Sequence, residues 1–134
     1  MQTHELVKSM LQKTGLTFID NETNFSSRWK LSSKIEIKVL VAYDIHPEWV
    51  HILCNIGPVQ DYVKEIYITL LRLNNKVIGS KLALEKNQNI VCSAELLVTH
   101  LTEDHLKTLI TRVVKMVSLF YDEVERENLK LNSV

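Results

Sequence analysis

Two cysteines, three glycines and two prolines are all that this 134-residue chain holds of the residues behind disulfide scaffolds, phosphate cradles and loop-rich folds. Cys54 and Cys92 stand far apart, whereas a secreted disulfide framework needs more cysteines at denser spacing. Gly15, Gly57 and Gly79 are isolated from one another. A phosphate cradle needs clustered glycines so that backbone amides can close on the anion, which excludes a P-loop or a Rossmann turn. Net charge is also missing: 16 basic residues balance 16 acidic ones. With no basic surplus and no dense Lys/Arg stripe, nucleic acid is not an expected partner. No apolar run approaches the ~20 residues that cross a bilayer. Met1–Glu5 lacks the basic and apolar regions of a signal peptide. The expectation is a cytoplasmic protein with no membrane association. Neutrality weakens electrostatic solubility and so favours a defined oligomer.

What the chain has is apolar residues, at 46%, enough to bury a core without metal or disulfide staples in a single domain over residues 1–134. Their spacing changes rhythm along the chain. Leu6, Val7, Met10 and Leu11 form a helical stripe from about Thr3 to Thr14, ending at Gly15. After the turn-forming stretch Asp20–Asn24, Trp29 sits in a short strand candidate around 27–31. Ile35, Ile37, Val39 and Val41 then alternate with Glu36, Lys38, Leu40 and Ala42. Beyond the break Asp44-Ile45-His46-Pro47-Glu48, Val50, Ile52, Cys54 and Ile56 alternate in turn. For both β-branched faces to meet one core, Val39 must lie beside Cys54 and Leu40 opposite Leu53. The reverse face then carries Leu40, Ala42, Trp49 and Leu53 with Lys38 and His51. That surface is apolar enough to need cover, from the N-terminal helix or from a second subunit.

Gly57-Pro58 ends this meander. A helix is predicted from Gln60 to about Asn75 on the stripe Val63, Ile66, Tyr67, Leu70 and Leu71. A hairpin follows, with Leu82 and Leu84 on one arm, a turn at 86–89, and Ile90, Cys92, Ala94 and Leu96 on the other. The last helix opens on Thr102 as N-cap, with Glu103 and Asp104 at the positive end of its dipole. Leu106, Ile110, Val113, Val117, Phe120 and Val124 carry it to about Glu127, with Leu109, Val114 and Tyr121 widening the stripe. At ~37 Å it exceeds what a domain of this size needs for its own core. The tail from Asn128 to Val134 is expected to fray. The order α-β-β-β-α-β-β-α defines an α+β fold: helix, three-stranded antiparallel meander, helix, β-hairpin and long C-terminal helix.

Chemistry is sparse. The histidines His4, His46, His51, His100 and His105 show no metal-ligand spacing, and His51 and Cys54, three apart on a strand, point to opposite faces. Both cysteines fall on the apolar parity of their strands, where an inert buried thiol is the default. Asp44 and Glu48 flank a turn, where solvated acids are ordinary, although paired acids also serve proton transfer or cations. No catalytic residue, metal or cofactor is expected. Trp29 and Trp49 are the tryptophans; tryptophan is enriched at binding hot spots. With Leu40 and Leu53 they are the candidate protein-binding residues. Two rivals remain: a small-ligand pocket lined by Tyr62, Tyr67 and Trp49, and an enzyme built on His51 or His105 with a nearby carboxylate.

The second half of the chain resembles the YbjN-like family, whose fold is that of type III secretion chaperones. The likeness rests on Leu70-Leu71-Arg72-Leu73-Asn74 closing a helix and Lys81-Leu82-Ala83-Leu84 leading to a polar turn. Asn89-Ile90-Val91, Ala94-Glu95-Leu96 and Leu101-Thr102 opening a helix that begins with Leu106 complete it. The resemblance implies a helix–sheet domain, often dimeric, that binds a protein client or acts as a regulator rather than transforming a substrate. It supplies no catalytic residues. The neutral charge departs from the acidic character common among secretion chaperones.

Overall fold

A computed structural model describes residues 3–131. In chain order its elements are α1 (Thr3–Thr14), β1 (Ile19–Asp20), β2 (Asn24–Lys30), β3 (Glu36–Ala42) and β4 (Trp49–Pro58). They continue with α2 (Ile66–Lys76), β5 (Lys81–Leu84), β6 (Asn89–Leu97) and α3 (Glu103–Glu127). The anticipated order is present, with the two-residue β1 added at one edge. The strands form one antiparallel sheet in the spatial order β1-β2-β3-β4-β6-β5.

Register follows from the apolar parity. Leu40 pairs with Leu53, Val41 with Ile52 and Ala42 with His51, as the requirement for a shared core face predicts. Phe25, Val39, Val50, Ile52, Ile90 and Cys92 fill the covered face, and Val7, Leu11, Ile66, Leu73 and the α3 stripe belong to the same cluster. All three helices therefore lie on one side. The N-terminal helix packs against α3, so it leaves the reverse face uncovered.

Helix α3 is the spine of the covered side. Thr102 caps it, its hydroxyl accepting the His105 N–H at 3.1 Å, and Leu106, Ile110, Val113, Met116, Val117 and Phe120 are buried along it. Its length serves several contacts, because α1, α2, β4 and β6 all pack on it.

Two expectations are revised. Helix α2 begins at Ile66 rather than Gln60, and the frayed tail is ordered as far as Leu131. One arrangement explains both. Asn128 adopts the left-handed conformation (φ 55°, ψ 51°) after α3 and reverses the chain. The Val63 N–H then donates to Leu129 O at 2.8 Å, the Leu131 N–H donates to Asp61 O at 2.9 Å, and Tyr62 bridges Lys130. Pairing with the tail holds 61–63 out of the helix. Residues 132–134, the remainder of that tail, lie outside the described residues.

Leu129 is only 4% exposed within the core cluster. Leu129→Ala is expected to cost about 2–3 kcal/mol in denaturant unfolding, as for other buried leucine truncations. A frayed tail would give no change.

Candidate functional site

The uncovered sheet face is defined by the ladder. Trp49 opposes Leu97, His51 opposes Glu95 and Leu53 opposes Ser93; Leu40 joins Leu53 from the other side and opposes Ser26 on β2. Leu40, Leu53 and Leu97 are half-buried, and Trp49 is 39% exposed. Ionic side chains frame this strip: Arg28 pairs with Glu36 at 3.2 Å and Lys81 with Glu95 at 3.0 Å. Three of the four candidate residues, Leu40, Trp49 and Leu53, thus share one surface. Trp29 pairs with Ile37 and so lies on the helix-covered side, half-buried, its indole N–H donating to Ser27 Oγ at 2.9 Å.

Each sheet edge is partly occupied. Strand β1 is two residues long and pairs with only Phe25 and Ser26 of β2, so no strand among the described residues lies beside residues 27–30 on that edge. At the other edge Asn74, inside α2, uses its side-chain amide as a strand would. Its Nδ2 donates to Leu82 O at 2.9 Å and its Oδ1 accepts the Leu82 N–H at 2.6 Å. Its sequence neighbours mark Asn74 only as a helix terminator. Its role in closing an edge needs α2 docked beside β5, which no local pattern encodes.

A second exposed apolar group lies on α2 and just beyond. Tyr67 and Ile68 are exposed, Leu71 is 70% exposed and Ile78 79%. The opposite flank of the same helix, Ile66, Leu70 and Leu73, is buried. The helix therefore carries apolar side chains on two flanks, of which one is covered.

Of the rival sites, the three-aromatic pocket does not assemble. Tyr62 packs edge-on against Phe120, Tyr67 is exposed on α2, and Trp49 stands on the far sheet face, so no pocket collects the three. An open cleft of about 460 Å³ does exist beside Trp49, lined also by His46, Pro47, His51 and Glu95. There His51 meets His46, Nε2 to Nδ1 at 3.1 Å. Burial, chiefly, lowers the His51 pKa, while Glu95 acts in the opposite direction. His105 is exposed in the first turn of α3. Among the described residues, no three His, Cys, Asp or Glu side chains gather around one point.

A polar cluster that the sequence did not single out joins α1 to the sheet. The two ring nitrogens of His4 contact Tyr43 Oη at 2.6 Å and the Asp20 carboxylate at 3.1 Å, and Lys8 reaches Asp20 at 3.2 Å. The Glu22 backbone N–H, then His4 and Lys8, bring the Asp20 pKa down to about 2. Desolvation raises the Tyr43 pKa, the reverse of what a nucleophilic phenol needs. With Phe25 stacked on His4 at 4.6 Å, the cluster reads as a clamp.

Cys54 and Cys92 face each other across β4 and β6 as buried free thiols. Burial pushes their pKa values up to about 11 and about 12. Neither is expected to react with iodoacetamide at pH 7.5 in the native protein, and both are expected to react once it is unfolded, with mass spectrometry counting adducts.

No family model matches the chain, and no curated protein does. Solved structures with this fold do exist. YbjN from E. coli, described as a putative transcription regulator, is 12% identical with a TM-score of 0.62, over 96% of this chain and 95% of that one. The Yersinia pestis type III secretion chaperone SycH, in complex with a stable fragment of YscM2, is 21% identical with a TM-score of 0.59. The match covers 88% of this chain and 99% of SycH. The heterodimeric ExoU–SpcU complex of the Pseudomonas aeruginosa type III secretion system supplies a third, 17% identical at a TM-score of 0.63, over 87% and 95%. The chain therefore has the fold shared by YbjN and the type III secretion chaperones. Identities this low speak to fold alone.

Proposed function

We propose that this protein is a non-enzymatic, cytoplasmic interaction module, chaperone-like or regulatory, that acts as a homodimer and receives a segment of a protein client on its open sheet face. The observation that carries the reading is the Leu40–Leu53 pair beside Trp49, on a face over which no helix lies. Large apolar side chains framed by ionic ones, with an aromatic anchor, are the composition of a protein-binding patch. Trp29, on the other side of the sheet, is a contact only for a client that wraps around the β2 rim. Solved complexes of SycH and of ExoU–SpcU, in which this fold is found with a protein partner, support the same reading. Among the described residues no helix is long and apolar enough to cross a membrane.

The α2 group suits self-association. A two-fold axis through Leu71 sets that exposed residue against its own copy, a self-complementary contact. Leu71→Asp is expected to convert a dimer into a monomer in small-angle scattering, with the circular dichroism spectrum unchanged because the side chain is exposed. A wild-type monomer at the same concentration would overturn the dimer.

The client site is tested by affinity capture and mass spectrometry, followed by rebinding of the identified client from purified components. Trp49→Ala and Leu53→Asp are each expected to weaken rebinding by about 30-fold, the loss of one hot spot of ~2 kcal/mol. Equal binding by wild type and both variants would remove the open face from consideration.

A further inference from the structure

His46 and His51 offer something the docking reading does not use. His51 lies on the open face of β4, only 8% exposed, fixed by pairing with Ala42 on β3 and Glu95 on β6. His46 comes from the exposed connection before β4, yet its backbone is not loose. The Trp49 N–H donates to His46 O at 3.2 Å, and the Val98 N–H donates to Glu48 O at 2.8 Å. Glu48 carries a positive φ of 69°, and this reversal returns the chain toward β4. Two imidazoles held from separate stretches of backbone thus meet with nitrogens 3.1 Å apart, ring centroids 5.0 Å apart and planes inclined at 40°.

We propose that His46 Nδ1 and His51 Nε2 chelate one divalent transition cation of the imidazole-preferring class, Cu²⁺, Ni²⁺ or Zn²⁺. A metal 2.0–2.1 Å from each of two nitrogens at this separation subtends an angle of about 100°, between the square-planar and tetrahedral values. Rotation of the exposed His46 ring brings both lone pairs onto that point, while His51 stays where the strand puts it. The remaining coordination positions open into the cleft of about 460 Å³ lined by Pro47, Trp49 and Glu95, room for water or for a donor from another molecule. Glu95, opposite His51 in the ladder and 3.0 Å from Lys81 Nζ, contributes negative charge beside the site rather than a bond. The set is therefore two nitrogens, consistent with the lack of any three-residue cluster among the described residues. The competing account is a hydrogen bond in which the pair shares one N–H, with no affinity for metal.

Titration of the full-length protein with Cu²⁺, the tightest binder of the series, separates the two. Expected is one equivalent with nitrogen hyperfine structure from two donors in electron paramagnetic resonance. Trp49 fluorescence should be quenched in step, with Trp29, on the other sheet face, as the residual emission. His46→Gln, in an exposed loop where the fold tolerates it, is expected to weaken binding at least about tenfold and leave one nitrogen in the spectrum. Because the chain has other histidines, the His46→Gln/His51→Gln double variant sets the background. Wild-type binding no tighter than that background, or a spectrum that does not change in His46→Gln, would overturn the proposal.

Discussion

The seating of α3 on the sheet is the contact from which the remaining arrangement follows. Its buried side chains run from Leu106 to Val124 and press on β4 and β6, and α1 and α2 are then arranged against α3. Because an α-helix presents one stripe and a sheet presents two faces, a single layer of three helices satisfies one face and leaves the other in water. A small domain cannot cover both with so few elements. The open face bearing Leu40, Leu53 and Trp49 is thus a consequence of the architecture, and its apolar content is what makes it a candidate for docking.

The same constraint accounts for where polar groups are strict and where they are loose. Behind α3, the facing thiols of Cys54 and Cys92 sit in a dry interior where their ionised forms are strongly disfavoured. At the margins of the covered side, polar groups fasten elements together: His4, Tyr43 and Asp20 tie α1 to the sheet, and Asn74 ties α2 to β5. These fastenings use hydrogen-bonding groups that an isolated edge or helix end would otherwise offer to another chain. What they leave exposed is the sheet face and the outer side of α2, two separate apolar surfaces on one small domain.

Much of this architecture is legible in the residues. The α1 limits, the cap at Thr102, the hairpin and the register of Leu40 against Leu53 follow from periodicity and parity, which are local properties with a fixed geometric meaning. The start of α2 and the course of the tail are not legible in the same way. The Val63 stripe is helical by itself and loses that conformation only because Leu129 and Leu131 arrive beside it from the other end of the chain. Of the docking candidates, Leu40, Trp49 and Leu53 come together because they share strand parity in paired strands. Trp29 is separated from them by the β2 register, which the broken stretch before it leaves unspecified. His46 against His51 was likewise unreadable, since a five-residue spacing across a turn has no set geometry.

The sequence by itself determined the kinds and order of the elements, the side of each strand that faces the core and the lack of a phosphate cradle, because these depend on spacing along the chain and on residue type. Only the tertiary structure decided that all three helices share one face, that Asn74 closes a sheet edge, that the tail orders residues 61–63 and that two histidines meet beside Trp49. Each of those joins residues through docking of whole elements, and the free energy that selects such docking is spread over the entire buried surface rather than held in any short stretch of chain.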